Sequence, residues 1–227
     1  MTLAEVAAPR APDPFPCAPK WWPDWRGQTC VIVASGPSAK DVPLQLARGR
    51  AKFIAINSSW QIAPWADVLY GCDFRWWDAH KGVPGFKGLK ITQDGPKFGK
   101  KYPDVRQVYC DRNAEKILMA KCGVIGWGGN SGFHSINLGA QFGPPEKMIL
   151  VGFDMRLDKG LHWHGKHVNN MNNPTEKNVL RWCKTIDDAA KDLGALGIKV
   201  FNTSPISRLN NYPKVSLQEA LDCAHGA

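Results

Sequence analysis

Short apolar runs that end in glycine, proline or a polar residue recur along the chain. The first, TCVIVA, begins at Thr29 and passes directly into the loop SGPSAKDV. A β-branched run of this length, closed by glycine and proline, is typical of a buried strand that enters a tight turn. The same pattern predicts strands at FIAIN (53–57), DVLYGCD (67–73), KMILVGFD (147–154) and IKVFN (198–202), with weaker candidates at 89–92 and 107–109.

Two helices are predicted in the second half of the chain. In NSGFHSINLGAQFG, Asn130 or Ser131 caps the first turn. In NNPTEKNVLRWCKTIDDAAKDLGALG, Asn173 is the predicted N-cap, Pro174 takes the first helical position and Glu176 completes an arrangement like a capping box. The predicted apolar face of the second helix comprises Val179, Leu180, Cys183, Ile186, Ala190 and Leu193.

The order of these elements predicts the fold class. Continuous apolar strands that alternate with helices favour an α/β, Rossmann-like fold with a mainly parallel sheet and helices on both faces. With 227 residues, 44% of them hydrophobic, the chain can bury one substantial core. Residues 1–26 contain six prolines and a group of tryptophans, Trp21, Trp22 and Trp25. We therefore expect an extended N-terminal arm over residues 1–26 and a single nucleotide-binding domain over residues 27–227.

Composition narrows the partners and the compartment. The formal net charge of +9 favours an anionic partner such as a nucleotide phosphate, a nucleic acid or an anionic glycan. No stretch is long and apolar enough to span a membrane, and the first residues lack the pattern of a signal peptide, so we expect a cytoplasmic protein. The seven cysteines are scattered and include no C-x-x-C pair, which predicts mostly buried thiols.

The loop after the first strand is the first candidate site. Its residues Ser35, Gly36, Pro37 and Ser38 are small, and small side chains let backbone N–H groups approach phosphate or ribose oxygens. A helix that starts near Ser38 would add its positive end. The loop is neither a P-loop nor a G-x-G-x-x-G fingerprint. The alternative is an ordinary turn in which Gly36 only supplies a positive φ.

Three further sets of polar residues follow predicted strands or begin a helix. Asn57 follows the second strand and can bind a base or ribose edge, while Asp73 follows the third and can accept from a sugar hydroxyl or help to hold a cation. Asp73 can equally be a turn-capping residue. Ser131 and Gly132 lie at a predicted helix start, which suits an anionic group. We expect these residues to share one crevice at the carboxyl ends of the strands.

The segment after the strand at 147–154 holds the densest polar cluster. It contains Asp154 and three histidines, His162, His164 and His167. Histidine transfers protons near neutral pH, which makes a general base plausible in this loop. The H-x-H-x-x-H spacing also permits a metal site, although no carboxylate ligand is fixed by periodicity, and surface histidines are the third alternative.

Four blocks together resemble a known family. They are VIVASGPSAKD, NSGFHSINLGAQFGPPEKMILVGFDM, the histidine-rich loop and VFNTSPISRL, and they resemble the bacterial CMP-sialic-acid-dependent sialyltransferases of glycosyltransferase family 42. The related domain of the archaeal 6-hydroxymethylpterin diphosphokinases is similar too. The resemblance covers about 29–209. The compact layout also fits a phage-encoded or mobile-element enzyme.

The resemblance implies roles for particular residues. The family's donor loop G-N-G-P-S corresponds to ASGPS, with Ser35 in place of the family's asparagine. Asn57, the pair Ser131 and Gly132, and the element Gly152–Asp154 match further family motifs. The resemblance further implies a nucleotide contact by the block VFNTSPIS, and its candidate residues are Asn202, Thr203, Ser204 and Ser207.

The family's general base is a histidine before the last long helix, and His164 and His167 are our first candidates for it, followed by His162. Such sialyltransferases need no metal for chemistry. The diphosphokinases use ATP and Mg²⁺, and Asp73 or Asp154 would hold that ion.

Three functions therefore remain open. The first is a nucleotide-sugar-dependent glycosyltransferase in which a histidine activates an acceptor hydroxyl, and the resemblance implies a CMP-linked donor. The second is a Mg²⁺- and ATP-dependent phosphoryl transferase. The third is a nucleic-acid-binding or DNA-modifying protein, in which Trp76 and Trp77 beside Arg75 would stack on unpaired bases, unless these rings pack in the core. A serine hydrolase and a dehydrogenase are disfavoured because their motifs are absent.

Overall fold

The computed structural model describes residues 13–93, 95, 97–165 and 173–223, and nine strands lie within them. Seven form one sheet: β1 (Thr29–Val33), β2 (Lys52–Ile56), β3 (Val68–Tyr70), β4 (Leu89–Thr92), β5 (Val105–Gln107), β8 (Lys147–Val151) and β9 (Lys199–Asn202). The other two, β6 (Tyr109–Asp111) and β7 (Val124–Gly126), pair with each other. The described helices are α1 (Phe74–Ala79), α2 (Lys97–Lys101), α3 (Ser131–Gln141), α4 (Glu176–Ala195) and α5 (Leu217–Asp222), with 3₁₀ helices at Pro37–Asp41, Leu44–Ala47 and Asn57–Gln61.

The strand order of the large sheet is β5-β4-β3-β2-β1-β8-β9, and every pair is parallel. Val31 of β1 is in register with Phe53 of β2 on one side and with Ile149 of β8 on the other. From β1 the chain first builds the sheet towards β5 and later returns to add β8 and β9 on the opposite side. The sheet therefore has a topological switch point between β1 and β8, and the predicted α/β, Rossmann-like class is confirmed.

Helices cover both faces of the sheet, but unequally. Side chains of β1 alternate, so that Cys30 and Ile32 face one core while Val31 and Val33 face the other. The first core is covered by α3 and α4, and every residue of α3 is buried. The second core is covered mainly by the 3₁₀ helices and by the short helices α1, α2 and α5.

The start of α4 differs from the prediction. Its N-cap is Thr175 rather than Asn173, and Pro174 precedes the cap instead of occupying the first helical position. The Thr175 hydroxyl accepts from the Asn178 backbone N–H, and the Asn178 side chain accepts from the Thr175 N–H. These two hydrogen bonds satisfy the backbone N–H groups of Thr175 and Asn178, and they fix the start of the helix at this point.

The apolar face of α4 also needs one correction. Leu180 was expected in the core, yet it is 57% exposed, whereas Ala189 is buried. Val179, Ile186 and Leu193 are spaced by seven residues and point into the protein. Leu180 lies about 100° around the helix from Val179 and therefore faces solvent.

Several other expectations can be compared with the structure. The weak strand at 107–109 is instead the junction of β5 and β6, between which Val108 is buried. Trp76 and Trp77 are buried against the second core, so they cannot stack on nucleic acid as predicted, because their faces already pack on protein. Cys30 and Cys110 are buried, Cys17 is exposed and the other four cysteines are half-buried, so the prediction of mostly buried thiols is wrong.

The tryptophans of the predicted arm lie against the end of α3. The rings of Trp22 and Trp25 contact Phe142 edge to face, with centroid distances of 5.0 and 4.7 Å. The Trp22 indole N–H donates to the Gln141 carbonyl. The domain division at residue 26 stays a prediction. Within the described residues no helix combines the length and the apolarity needed to cross a bilayer, and cytoplasmic location stays a prediction as well.

Two leucines of α4 test this packing. Leu193→Ala should lower the free energy of unfolding by about 2–5 kcal/mol, because a fully buried side chain leaves a cavity. The exposed Leu180→Ala is the matched control and should change it by less than about 0.5 kcal/mol. Urea titration of both variants checks this. Equal losses would contradict the observed helix face.

Candidate functional site

A cavity of about 470 Å³ lies beyond the carboxyl ends of the central strands. The loops after β1, β2, β3 and β8 contribute to its walls, together with the starts of α3 and α4. It spans the switch point between β1 and β8, where the connections diverge to opposite sides and leave a crevice. Ligands of open α/β sheets bind in this place.

Close approach of two loops explains Gly36. A Cβ at this position would lie 2.7 Å from the Asp154 Cγ and would overlap the Gly152 carbonyl. The φ of Gly36 is −59°, so the alternative in which glycine supplies a positive φ is wrong. Gly36 donates its N–H to the Gly152 carbonyl over 2.9 Å, which ties the loop after β1 to the loop after β8.

Within this loop, Ser35 and Gly36 line the cavity, whereas Pro37 and Ser38 do not. The predicted helix near Ser38 is a single 3₁₀ segment, Pro37–Asp41. The structure therefore brings only the first half of the predicted nucleotide loop to the cavity wall.

The Asp154 carboxylate accepts three hydrogen bonds at the base of the cavity. The donors are the Ser38 backbone N–H over 2.9 Å, the Ser38 hydroxyl, and the Ser204 hydroxyl over 2.6 Å. Asp154 is only 1% exposed. These three hydrogen bonds make Asp154 a positioning residue that joins the loops. Its expected role as a Mg²⁺ ligand stays a prediction.

The block that follows β9 lies behind Asp154 and outside the cavity lining. Asn202 accepts from the Ser204 N–H over 3.0 Å, and the Thr203 hydroxyl donates to the Leu150 carbonyl over 3.1 Å. The Ser207 hydroxyl donates to the Phe153 carbonyl over 2.6 Å. These side chains were predicted to contact a nucleotide, and the structure instead uses them to fix buried backbone.

Asn57 is held in an uncommon conformation at the cavity wall. Its φ is +48°, a left-handed value that asparagine tolerates better than most residues. Its Oδ1 is buried and, within the described residues, has no hydrogen-bond partner. Gly71 makes room for this side chain, since a Cβ there would lie 3.1 Å from Oδ1. A buried acceptor without a donor is costly, and a ligand donor would remove that cost.

Asp73, Cys72 and Ser131 form the next stretch of wall. Asp73 occupies the N-cap position of α1 but its side chain makes no capping hydrogen bond, so the turn-capping alternative is wrong. The Ser131 hydroxyl donates to the Cys72 sulfur over 3.0 Å. Burial, followed by the nearby Asp73, raises the pKa of the Cys72 thiol to about 12. Cys72 is therefore a neutral thiol near neutral pH and no nucleophile.

The start of α3 points into the cavity. Asn130 is its N-cap and accepts from the Phe133 N–H over 2.9 Å, as predicted. Ser131 and Gly132 of the first turn line the wall. A Cβ on Gly132 would lie 2.9 Å from the Phe153 ring. A glycine is therefore needed here for α3 to pack against the loop that follows β8. The uncapped N–H groups of this turn present partial positive charge to the cavity.

Of the three predicted histidines, His162 lines the cavity. The His164 ring stacks on it with a centroid distance of 5.1 Å and an interplanar angle of 14°, and His167 lies outside the described residues. Trp163, between them, donates its backbone N–H to the Ser35 carbonyl over 2.9 Å and its indole N–H to the Ser59 hydroxyl over 3.3 Å. Trp163 therefore anchors the histidine loop to the loop after β1.

A fourth histidine, His134, lies in the cavity floor on α3 and is almost fully buried. Its Nε2 donates to the Trp127 carbonyl over 2.5 Å, since a carbonyl can only accept, and its Nδ1 accepts from the Tyr70 hydroxyl over 2.9 Å. Burial lowers the pKa of His134 to about 4, against a smaller opposite effect of the Trp127 hydrogen bond. His134 is thus neutral at pH 7.

The sequence analysis missed several residues of the wall. The Arg112 guanidinium lies over the Trp127 ring, 4.8 Å from the ring centroid. Trp182, on α4, has a buried indole N–H without a hydrogen-bond partner in the described residues. Only the apolar periodicity of α4 could have indicated Trp182, because it continues the stripe of Val179 and Ile186.

In the described part of the chain no three His, Cys, Asp or Glu side chains lie close enough to hold a metal ion. The third residue of the H-x-H-x-x-H pattern, His167, is not described, so the metal alternative stays a prediction.

No family model and no curated protein matches the chain. Two solved structures do, both of the sialyltransferase CstII from Campylobacter jejuni, in complex with CMP and with CMP-3FNeuAc. The first is 9% identical with a TM-score of 0.49 and covers 83% of this chain and 85% of the other. The second is 11% identical with a TM-score of 0.48 and covers 85% and 88%. At these identities the matches assign no substrate and no residue role to this chain.

Asp154→Ala tests whether the hydrogen bonds of this carboxylate hold the loops after β1, β8 and β9 together. The change leaves a buried Ser38 N–H and two hydroxyls without their acceptor and should lower the free energy of unfolding by about 3 kcal/mol. Asp158→Ala, which removes an exposed carboxylate paired with Arg156, is the matched control and should cost less than about 1 kcal/mol. Urea unfolding measures both, and a loss for Asp154→Ala no larger than the control's would contradict this role of the carboxylate.

His134 should make stability depend on pH. Its pKa is about 4 in the folded protein against 6.5 as the ordinary value, so the unfolded chain binds more protons between these values. Stability is fully present above about pH 6.5 and falls as the pH is lowered towards 4, by up to about 3 kcal/mol from this residue.

The variant His134→Gln keeps a donor and an acceptor but does not titrate. The difference between wild type and variant in unfolding free energy, measured between pH 7.5 and 4.5, should therefore shrink or reverse as the pH falls. Parallel pH profiles would contradict the buried neutral histidine.

Proposed function

We propose that the protein is a nucleotide-sugar-dependent glycosyltransferase whose donor is linked to CMP. The observation that carries the proposal is the buried, unpartnered Asn57 Oδ1 at the switch-point cavity. Its position between the loop after β1 and the start of α3 suits the base or ribose of a nucleotide. The exocyclic amine of cytosine or a ribose hydroxyl would supply the missing donor.

The charged parts of the cavity suit the donor phosphate. The first turn of α3 presents its positive end, and two guanidinium groups, Arg112 and Arg156, line the same cavity. Arg156 is partly neutralised by Asp158 at 2.5 Å, whereas Arg112 lies over the Trp127 ring. A phosphate bound here gains charge-assisted hydrogen bonds.

His162 is the proposed general base. It lines the cavity, whereas the earlier candidate His164 stacks behind it, and Trp163 holds both in place. His162 would take the proton of the acceptor hydroxyl while that oxygen attacks the anomeric carbon of the donor. The bond from the anomeric carbon to the phosphate oxygen breaks, and CMP leaves with the bonding electrons. No step requires a metal ion, although ATP with Mg²⁺ remains the alternative donor to test.

The experiment compares ligand-induced thermal shifts of wild type and Asn57→Gly. CMP without metal should raise the melting temperature of the wild type, because a ligand of the native state stabilises it. Asn57→Gly keeps the left-handed backbone but removes the amide, and it should weaken CMP binding by about tenfold or more. Lys81→Gly is the matched control, since Lys81 also has a left-handed φ (+53°) but lies outside the cavity lining.

His162→Gln separates binding from chemistry in the same assay. It should bind CMP like the wild type while CMP release from CMP-linked sialic acid falls by about 10²-fold or more. Stabilisation only by ATP with Mg²⁺ would favour the phosphoryl transferase instead. If no nucleotide raises the melting temperature, the proposed function is contradicted. If His162→Gln leaves turnover unchanged, the assignment of His162 as the base is contradicted.

A further inference from the structure

The two sides of the cavity differ in polarity. Asn57, Asp73 and Gln93 follow β2, β3 and β4, which lie on one side of β1 in the sheet. The loop after β8 and the start of α4 lie on the other side. They contribute most of the large apolar groups of the lining, beside the polar residues Asp154, Arg156, His162, Asn173 and Asn178. We call this second set the apolar wall, and its members are Met155, Leu157, Leu161, Pro174, Val179 and Trp182.

The geometry of α4 produces the apolar wall. The helix buries Ile186, Ala189 and Leu193 against the core. Trp182 lies one turn before Ile186 on the same face of the helix, and Val179 lies about two turns before it. Both residues belong to the cavity lining. The apolar stripe of the helix therefore continues as far as the cavity lining, within the part of the chain that the structure describes.

Trp182 adds a polar atom to this wall. Trp77 donates its indole N–H to the Gly71 carbonyl and Trp163 donates its own to the Ser59 hydroxyl, whereas the buried Nε1 atoms of Trp60 and Trp65 have no partner in the described residues. The Trp182 Nε1 is buried without a hydrogen-bond partner in the described residues. An unpaired buried donor costs free energy until an acceptor reaches it.

We propose that the apolar wall binds an apolar ring or chain carried by the acceptor, with Trp182 Nε1 donating a hydrogen bond to an oxygen of that acceptor. This inference rests on the proposed function, because it assigns the second substrate of the same site. His162 follows Leu161 directly in the chain, so an acceptor held by the wall brings its hydroxyl to the proposed base.

The wall also discriminates between acceptors. The parts of a fully hydroxylated sugar that lie against Met155, Leu157 and Leu161 would find no hydrogen-bond partners there, at a desolvation cost. An aryl or alkyl group attached to the sugar would instead bury apolar surface against the wall. The acceptor class is therefore an amphipathic glycoside or related alcohol, and Trp182 is its specificity-determining residue.

The test uses the indole N–H signals of ¹⁵N-labelled protein. The spectrum holds one such signal for each tryptophan, and the variant Trp182→Phe identifies the signal of Trp182 by its loss. In the presence of CMP, phenyl β-D-galactoside should shift this signal downfield, and it should bind about tenfold more tightly than methyl β-D-galactoside. Trp182→Phe should weaken binding of the phenyl glycoside and leave CMP binding unchanged.

Two variants control the interpretation. Trp60 also has a buried indole N–H without a partner in the described residues but lies outside the cavity lining. Trp60→Phe should leave the binding of both glycosides unchanged. This control shows whether the effect of Trp182→Phe comes from loss of a donor in the cavity or from loss of any unpaired indole N–H. Val179→Thr, nearly equal in volume, should reduce the preference for the phenyl over the methyl glycoside.

The outcomes separate the inference from the proposed function. If CMP binds but the phenyl glycoside leaves the Trp182 signal in place or binds no better than the methyl glycoside, the inference is overturned and the proposed function stands. If the phenyl glycoside shifts the Trp182 signal but no nucleotide binds, the apolar subsite stands and the glycosyltransferase proposal fails. If neither ligand binds, both are overturned.

Discussion

The Asp154 carboxylate ties together the ends of three adjacent strands. Asp154 follows β8, Ser38 follows β1 and Ser204 follows β9, and these strands are neighbours in the sheet. Because one buried anion receives all three donors, the loops cannot move apart without leaving it unpaired. The Gly36 loop, the histidine loop and the cavity between them keep their geometry through this contact.

Small residues make the cavity possible by letting backbones approach. Gly36 touches the loop after β8, and Gly132 lets the first turn of α3 approach Phe153. Asn57 and Met155, both with positive φ, line the cavity from opposite sides. Left-handed residues other than glycine persist only where the surrounding structure holds them. Two of the four in the described residues line the cavity, whereas Lys81 and Val83 lie outside its lining.

Two histidines of the cavity illustrate how environment sets chemistry. His134 is enclosed by Tyr70 and the Trp127 carbonyl, so burial keeps it neutral and fixes its tautomer. It orders the cavity floor and has no room to exchange protons with a substrate. His162 lies on a loop at the cavity wall and is the proposed base. The residue type is the same, but only the second position suits proton transfer.

The sequence by itself determined the parallel α/β fold, because the central strands β1, β2, β3 and β8 are short, apolar and closed by turn residues. It did not determine β5, of which only Val105 is buried. It also determined the cap of α3, since Asn130 acts on a backbone N–H three residues away. Local patterns of this kind need no knowledge of distant contacts. Only the tertiary structure decided that Ser204 supports Asp154 instead of a ligand, and that Trp182 lines the cavity. Those outcomes depend on which strand ends and helix faces meet in space, and hydrogen bonds across 50 residues leave no periodic signal in a sequence.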